Sequence, residues 1–203
     1  MHIPSLFKMK QQACYEFLSE HSFGQLISCQ QGKISQSYLP FIIDKDNSCL
    51  YAHLAMQNPQ LNSLENADAV TATFLGNDCY ISPNWYLSEQ QVPTWNYQAV
   101  EISGKAMLLD KDETLKIIDQ LSQRHESQFE DPWLIGKLSK KKLNAMLKAI
   151  VGVKIEIISI NGYSKMSQNK NVSDQRGVVG GLLSQTDHAS FQVANIIKKG
   201  IEQ

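Results

Sequence analysis

Residues 23–55 read FGQLISCQQGKISQSYLPFIIDKDNSCLYAHLA, and their pattern carries most of the fold prediction. The segment alternates stretches rich in strand-forming residues with short polar turns, of which Gln31-Gly32 and Asp44–Ser48 are the clearest. The predicted strands are Phe23–Gln30, Lys33–Ile43 and Cys49–Ala55. Because each turn is short, we expect consecutive strands to run antiparallel, as a β-meander.

The segments on either side of this meander supply further helices and strands. Lys10–His21 is predicted to be an amphipathic helix, because its apolar residues recur on one helical face. Val70, Ala72 and Phe74 alternate with threonines, which is typical of a half-buried strand. The other elements predicted up to residue 109 are a helix at Pro59–Asn66, strands at Ala69–Leu75, Cys79–Ser82 and Tyr97–Leu109, a turn at Gly76-Asn77-Asp78 and an irregular segment at Pro83–Trp95.

The second half of the chain predicts helices followed by closing strands. Asp110 and Glu113 have the spacing of a capping box, which predicts a helix that ends near Arg124. Ser139 is the predicted cap of a second helix, through Ala149. The later elements are a hairpin of Val151–Ile160 and Tyr163–Ser167 with the turn Asn161-Gly162, and helices from Asp174 onward and at Ala189–Lys199. Strands that return after a helical excursion favour a barrel over a βαβ sheet. The predicted fold is therefore mainly β with helices, an α+β barrel with a helical insertion and a helical tail.

The composition is that of an ordinary globular chain without an excess of either charge. Its 203 residues suit one domain with a helical appendage, and the net charge of −1 argues against a broadly basic nucleic-acid surface. The first ten residues lack a signal-peptide pattern, and no segment reaches the ~20 apolar residues of a membrane span. We therefore expect a cytoplasmic protein without a membrane partner. The four cysteines are scattered, which disfavours a zinc site or a disulfide framework.

Two polar clusters in the first half are candidates for a cofactor site. The sequence contains no GxxxxGK[ST], GxGxxG, GxSxG or HExxH motif, so residues from dispersed strands would have to hold any nucleotide cofactor. Ser37-Tyr38 lies on the second predicted strand. His53–Asn58 leads into a predicted helix, and the start of a helix favours a phosphate. The alternative for the second cluster is that Asn58 only caps that helix.

Two further clusters lie later in the chain. The first joins YISPNWY at 80–86 to PTWNY at 93–97, and its rings either pin the loop to the barrel or line a cleft. The second is Lys165–Asn169, where a lysine is followed by several hydrogen-bonding side chains. These groups suit an anion or the edge of a heteroaromatic ring, but they are also typical of a solvated strand end.

Five motifs, taken together, resemble a known family. They are HLAMQNPQ, YISPNWY, VPTWNYQAVEISGK, LKAIVGVKIEI and KMSQNK, and in this order they resemble the PaiB family of flavin-binding transcriptional regulators. The opening MHIPSLF and the segment FGQLISCQQGKISQSYLPFIID match the start of that family, and the resemblance extends to about Leu183. The PaiB family is similar in turn to the pyridoxamine-phosphate-oxidase-like split β-barrels, which are typically homodimers with flavin mononucleotide (FMN) across the subunit interface.

The resemblance implies an FMN-binding split β-barrel domain at residues 1–171, with a helical extension at 172–203 packed on the same domain. The cofactor-binding residues that it and the four clusters together indicate are Ser37, Tyr38, His53, Asn58, Ser82, Trp85, Trp95, Asn96, Lys165, Gln168 and Asn169. The chain departs from the family where Met56 replaces a basic residue and where Tyr38 replaces a frequent histidine. Loss of a cation beside a phosphate weakens binding roughly ten- to a hundredfold, so FMN occupancy is in question.

The sequence is compatible with two classes of function. In the first, the chain is a flavin-linked redox or sensing protein whose flavin carries the electron chemistry. No residue is assigned as a catalytic acid or base, and His53, the nearest candidate, has a phosphate-binding alternative. In the second, which the family name implies, the chain is a negative transcriptional regulator that acts through DNA or a partner protein, with a vestigial flavin site. No segment is typical of a helix-turn-helix, and the run Lys137, Lys140, Lys141, Lys142 and Lys148 is typical of a solvated helix face.

Overall fold

The structure, a computed structural model, describes residues 2–202, so the end residues of the two predicted domains, Met1 and Gln203, lie outside the described residues. The strands are β1 Phe23–Gln30, β2 Lys33–Pro40, β3 Ile42–Asp44, β4 Cys49–Ala55, β5 Val70–Ile81, β6 Thr94–Leu108 and β7 Ile150–Lys165. The α-helices are α1 Gln11–Glu20, α2 Gln60–Asn66, α3 Lys111–Glu126, α4 Lys140–Leu147, α5 Val172–Leu183 and α6 His188–Ile201. Short 3-10 helices lie at Ser5–Phe7, Pro83–Trp85 and Ile135–Lys137.

The seven strands have the order β2-β1-β5-β6-β7-β4-β3. β1 pairs antiparallel with β2 and β5, and β4 pairs antiparallel with β3 and β7. Gln31 and Gly32, between β1 and β2, both have positive φ, as a tight two-residue hairpin turn requires. The predicted α+β class, with helices inserted before the last strand and after it, is confirmed.

The local sequence signals gave several element bounds correctly. β1 and β4 have their predicted bounds, and Asp110 caps α3 in a complete capping box with Glu113. Ser139 caps α4 by accepting a hydrogen bond from Lys142 N. The second predicted strand is interrupted, because β2 ends at Pro40 and β3 begins again at Ile42.

Two predicted turns are wrong, because β5 runs unbroken through Gly76 and β7 runs unbroken through Gly162. Neither glycine has the positive φ of a turn. A Cβ at Gly76 would lie 2.6 Å from the Phe17 ring, and a Cβ at Gly162 would lie 2.4 Å from Cys14 Sγ. Both glycines therefore allow close packing against residues of α1, and the strands continue past them.

The chain forms two compact units, each built from separate segments. Unit 1 comprises the residues up to Phe17, Leu75–Val100 and the chain from Asn161 on, and unit 2 comprises Leu18–Phe74 and Glu101–Ile160. β5, β6 and β7 each contribute residues to both units. The predicted boundary between a barrel domain and a helical extension at residue 171 stays a prediction.

Each unit has its own apolar core. In unit 1 the buried residues are Cys79, Ile81, Tyr86, Met166, Val178, Leu182, Val193, Ala194 and Ile197, so α5 and α6 are part of that core. In unit 2 the rings of Phe41 and Phe74, both almost fully buried, meet edge-on with centroids 5.1 Å apart. Within residues 2–202, no helix has the length and apolar character that crossing a membrane requires.

Candidate functional site

Ser37 and Asn58 lie together in unit 2, at the start of α2. Gln60 holds this helix in place, because its buried Nε2 donates to the carbonyl oxygens of Leu26 (3.0 Å) and Ser35 (3.2 Å). Asn58 Oδ1 accepts from Gln60 N at 2.9 Å, so the opposite amide atom, Nδ2, is the donor to Ser37 Oγ at 3.0 Å. The Ser37 hydroxyl is thereby used as an acceptor, and its hydrogen stays available to an oxygen of a bound anion.

Asn58 therefore stabilises the start of α2, where Pro59 occupies the N-cap position, and it also orients Ser37. Tyr38 does not join this pair. Successive strand residues point to opposite faces, and Tyr38, which is 64% exposed, takes a hydrogen bond at 3.3 Å from Gln25 on the other face of β2. Met56, where a basic residue was expected, is half exposed, and its backbone N–H donates to Ala149 O at 2.8 Å.

His53 lies on β4 opposite Gly152 of β7. Its Nδ1 is buried and has no hydrogen-bond partner in the described chain. Burial lowers the pKa of His53, because the charged imidazolium loses its hydration. A neutral imidazole at neutral pH is a poor substitute for the cation that a phosphate would need here.

In unit 1, four polar residues at the start of β6 and the end of β7 form what we term the polar strip: Thr94, Asn96, Lys165 and Ser167. Thr94 and Asn96 point to the same face of β6, because alternate strand residues do so. Lys165 Nζ donates to Thr94 Oγ1, and Asn96 Nδ2 donates to Ser167 Oγ at 2.8 Å. Asn96 and Ser167 are both almost completely buried.

The polar strip contains an unsatisfied buried amide. Asn96 Oδ1 has no hydrogen-bond partner in the described chain. If the amide were turned over, Ser167 would donate to the oxygen and the nitrogen would lack a partner instead, so one atom is unpaired in either orientation. A buried polar atom without a partner costs about 1–3 kcal/mol, which a ligand with a complementary group would recover.

The cation of the polar strip also lacks an anion. Burial lowers the pKa of Lys165, and the neighbouring charge of Lys170 acts in the same direction. Within residues 2–202, no carboxylate oxygen lies within 4 Å of Lys165 Nζ. An anion bound beside these two ammonium groups would relieve their repulsion and raise the pKa of Lys165.

Trp85 lies in a slot on α5. A Cβ at Gly181 would lie 2.2 Å from the Trp85 ring, and a Cβ at Gly177 would lie 2.1 Å from its carbonyl oxygen. These two glycines, one helical turn apart, therefore form the slot and admit both the ring and the backbone of Trp85. Trp85 also packs against the core of unit 1, so this ring fastens the loop to α5.

A concave site of about 370 Å³, termed the aromatic pocket, lies in unit 1. Its lining residues are Asp78, Cys79, Tyr80, Ser82, Trp85, Trp95, Gln185, Asp187 and Ser190. The pocket brings together three predicted site residues, Ser82, Trp85 and Trp95. Asn96 is not among them, because it points to the face of β6 opposite Trp95. Two carboxylates and no cation line this pocket, so it does not suit a phosphate dianion.

The last two predicted residues lie in the turn after β7. The Gln168 side chain bonds to the neighbouring backbone: its Oε1 accepts from Met166 N at 2.6 Å, and its Nε2 donates to the carbonyl of Ser164. These bonds hold a turn in which Ser167 has a φ of 63°, in the left-handed region. Asn169 is exposed. The structure thus gives Gln168 a role in shaping the turn that presents Ser167.

Two residues that sequence reasoning missed hold the loop after Trp85. Asp174 Oδ1 accepts from the backbone N–H groups of Leu87 and Ser88, each at 2.8 Å, and the bond from Ser88 is the first cause of a lowered pKa of Asp174. Lys170 Nζ donates to Gln91 Oε1 at 2.7 Å and lies 4.9 Å from the centre of the Tyr86 ring. Lys170 ends the KMSQNK motif and was visible in the sequence, whereas no local signal joins Asp174 to residues 86 positions away.

Comparisons with known proteins agree on the fold and on a flavin. A family model described as "Putative FMN-binding domain" matches residues 1–159. "Protease synthase and sporulation protein PAI 2" of Bacillus subtilis is 36% identical over 206 residues, which span 100% of this chain and 99% of that protein.

Two solved structures share the fold at 12% sequence identity. The flavocytochrome Anf3 of Azotobacter vinelandii has a TM-score of 0.61 and matches 86% of this chain and 78% of its own. The FAD and heme binding protein of Mycobacterium smegmatis has a TM-score of 0.60, and the match covers 85% of this chain and 78% of that protein's chain. At this identity the likeness concerns the fold alone, and it agrees with the predicted split-barrel class.

Proposed function

We propose, on the premise that the chain belongs to the PaiB family of FMN-binding domains, that it is a dimeric, cytoplasmic flavoprotein with a flavin-linked redox or regulatory role. FMN is the cofactor that family membership assigns to the chain. The observation that carries the proposal is the polar strip, where a buried amide lacks a partner and a lysine lacks an anion. An unpaired amide atom and an ammonium group without a counterion suit a ligand that is both anionic and rich in hydrogen-bonding ring atoms.

Each unit, taken by itself, contains residues that would suit a part of FMN. In unit 1, Lys165 would offer a charge, and Asn96 would offer its unpaired amide atom. In unit 2, Ser37, oriented by Asn58, would donate its hydroxyl hydrogen to a phosphate oxygen. Bound FMN would supply electron transfer, while these residues orient it and neutralise its charge.

The cofactor proposal is tested by the absorption spectrum of the purified chain. We expect a yellow protein with flavin bands and a flavin-to-chain ratio near one. Reduction of the bound flavin by a nicotinamide nucleotide would support the redox role. A colourless protein that also takes up no added FMN would contradict the proposal.

The regulatory alternative rests on the relative whose name refers to protease synthase and sporulation, and on exposed lysines at 137 and 140–142. If the chain acts through DNA, its affinity should fall steeply with salt, because phosphate contacts release counterions. Weak binding that is insensitive to salt would speak against DNA and leave a partner protein as the target.

Lys165→Ala is expected to weaken FMN binding roughly ten- to a hundredfold, since a charge-assisted contact contributes about 1.5–3 kcal/mol. Riboflavin, which shares the ring system of FMN, should lose affinity by a similar factor, because the phosphate is assigned to Ser37 and not to Lys165. Thermal stability should change little, because a partly exposed lysine at a strand end contributes little to folding. Lys105→Ala, which removes an exposed strand lysine outside the polar strip, is the matched control. Equal FMN affinity in the parent and in Lys165→Ala would show that Lys165 is a solvated lysine at a strand end and does not contact FMN.

We expect a homodimer at micromolar concentration. The barrel class typically holds each flavin with groups from both subunits, and a stable interface of this kind buries at least ~1,200 Å² in total. Exposed Ile34 and Ile158 are apolar strand residues that such an interface would cover. Light scattering across a concentration series measures the mass directly, and a monomer at every concentration would contradict this expectation.

A further inference from the structure

The aromatic pocket carries a negative charge that the flavin assignment does not use. Its two acidic residues differ in their surroundings. Asp187 caps α6, with Oδ1 accepting from Ser190 N at 2.8 Å and Oδ2 accepting from Ser190 Oγ at 2.7 Å. The Asp78 carboxylate is exposed, and no group within residues 2–202 donates a hydrogen bond to it. Its charge is therefore uncompensated at the rim of the pocket.

Both carboxylates influence the interior of the pocket. The pKa of the Cys79 thiol is raised, first by burial, while a hydrogen bond with Ser190 opposes the rise. Asp187 and Asp78 both add to the rise, because a negative charge disfavours a thiolate nearby. Because Asp78 and Asp187 line the pocket and no lysine or arginine does, the pocket favours a cationic ligand over an anionic one.

Two of the three rings of the pocket are about half exposed. Tyr80 is 47% exposed and Trp95 is 52% exposed, and their rings meet edge-on with centroids 6.0 Å apart. Trp85, the third ring, is fixed by its slot on α5. Aromatic faces attract cations, with tryptophan the strongest, and carboxylates beside them reinforce that preference.

We propose that the aromatic pocket binds an organic cation, an ammonium group attached to an apolar or aromatic body, as a ligand distinct from FMN. Its volume of about 370 Å³ lies within the range of small-molecule sites. The ammonium group would face Asp78, and the apolar body would lie against Tyr80 and Trp95. Gln185, Asp187 and Ser190 follow the part of the chain that matches the FMN-binding family model, so the C-terminal helices complete this site.

Three probes of one shape and different charge test the proposal on the purified full chain. They are 2-phenylethylamine as the cation, 2-phenylethanol as the neutral analogue and phenylacetate as the anion, each titrated by calorimetry. We expect the cation to bind about two- to thirtyfold more tightly than the alcohol, and the anion to bind most weakly. Binding of phenylacetate as tight as that of the amine, or no binding of any probe, would overturn the proposal.

A pair of variants locates the charge effect. Asp78→Asn should weaken amine binding and leave alcohol binding unchanged, because it removes the carboxylate charge that faces the ammonium group, while Asp187 and the rings remain. Asp46→Asn makes the same change at an exposed position of the turn between β3 and β4 and should alter neither. Equal loss of amine affinity in both variants, or in neither, would overturn the assignment to Asp78.

A competition experiment separates this pocket from the flavin site. FMN affinity, measured with and without saturating 2-phenylethylamine, should not change. If the amine displaces FMN, the pocket is part of the flavin site, and Ser82, Trp85 and Trp95 contact the cofactor as the sequence predicted. That result would overturn the second ligand while leaving the flavoprotein proposal in place.

Discussion

Gly181→Ala is expected to lower the free energy of unfolding by about 3 kcal/mol, because its new methyl group would meet the Trp85 ring at 2.2 Å. Neither partner can move easily, since Trp85 packs against the core of unit 1 and α5 carries two residues of that core. For a chain of this length, the melting temperature should fall by roughly 6–12 °C. Calorimetric or circular-dichroism melting measures the change. Gly177→Ala should act similarly, because its methyl group would meet the backbone carbonyl of Trp85.

Gly180 provides a control within the same helix. A Cβ at Gly180 would have no neighbour within 4 Å, so Gly180→Ala should raise stability by about 0.5–1 kcal/mol through helix propensity alone. Trp85→Leu combined with Gly181→Ala should show strong non-additivity, because the smaller side chain removes the clash. If the alanines at 180 and 181 shift the melting temperature in the same direction and by similar amounts, Trp85 does not occupy the slot.

Met56→Arg is expected to strengthen FMN binding about ten- to a hundredfold and to make it more sensitive to salt, because arginine supplies the cation that the family resemblance leads us to expect at this position. Met56 is 50% exposed, so an arginine there can keep its charge in water and need not be buried. The gain should be selective for the phosphate, and riboflavin affinity should change little. Fluorescence titration of both ligands against both proteins measures the selectivity.

Met146 is the matched control for this substitution, because it is a methionine with the same exposed fraction, on α4. Met146→Arg adds the same charge to the chain and should leave both affinities unchanged. If Met56→Arg alters FMN and riboflavin binding in parallel, Met56 does not lie beside a phosphate. The same conclusion would follow if Met146→Arg produced an equal gain for FMN.

Local signals in the sequence predicted the fold class and many element bounds. The capping box at Asp110 and the short turn at Gln31-Gly32 depend on neighbouring residues, and both were predicted correctly. The turns predicted at Gly76 and Gly162 were wrong because the role of these glycines depends on Phe17 and Cys14, which are far away in the sequence. Periodicity cannot distinguish a glycine that turns the chain from one that admits a distant side chain.

The candidate site was predicted less completely than the fold, for a related reason. Residue types identified Lys165, Asn96 and Trp95 as candidates, but adjacent residues on a strand face opposite ways, so Trp95 and Asn96 line different sites. The unpaired atom of Asn96 is visible only once Ser167 is placed beside it. The uncompensated charge at Asp78 likewise depends on which groups the folded chain brings near it.

The segments of the two units alternate along the sequence, and this order affects how the chain folds during synthesis. Unit 2 has all of its residues once Ile160 has been made, whereas the core of unit 1 needs Val193 and Ile197 of α6. Until α6 leaves the ribosome, Ile81 and Tyr86 lack one of the two helices that complete their core, and the apolar surface left exposed favours aggregation. A nascent chain stalled between α5 and α6 is therefore the stage at which a chaperone should matter most.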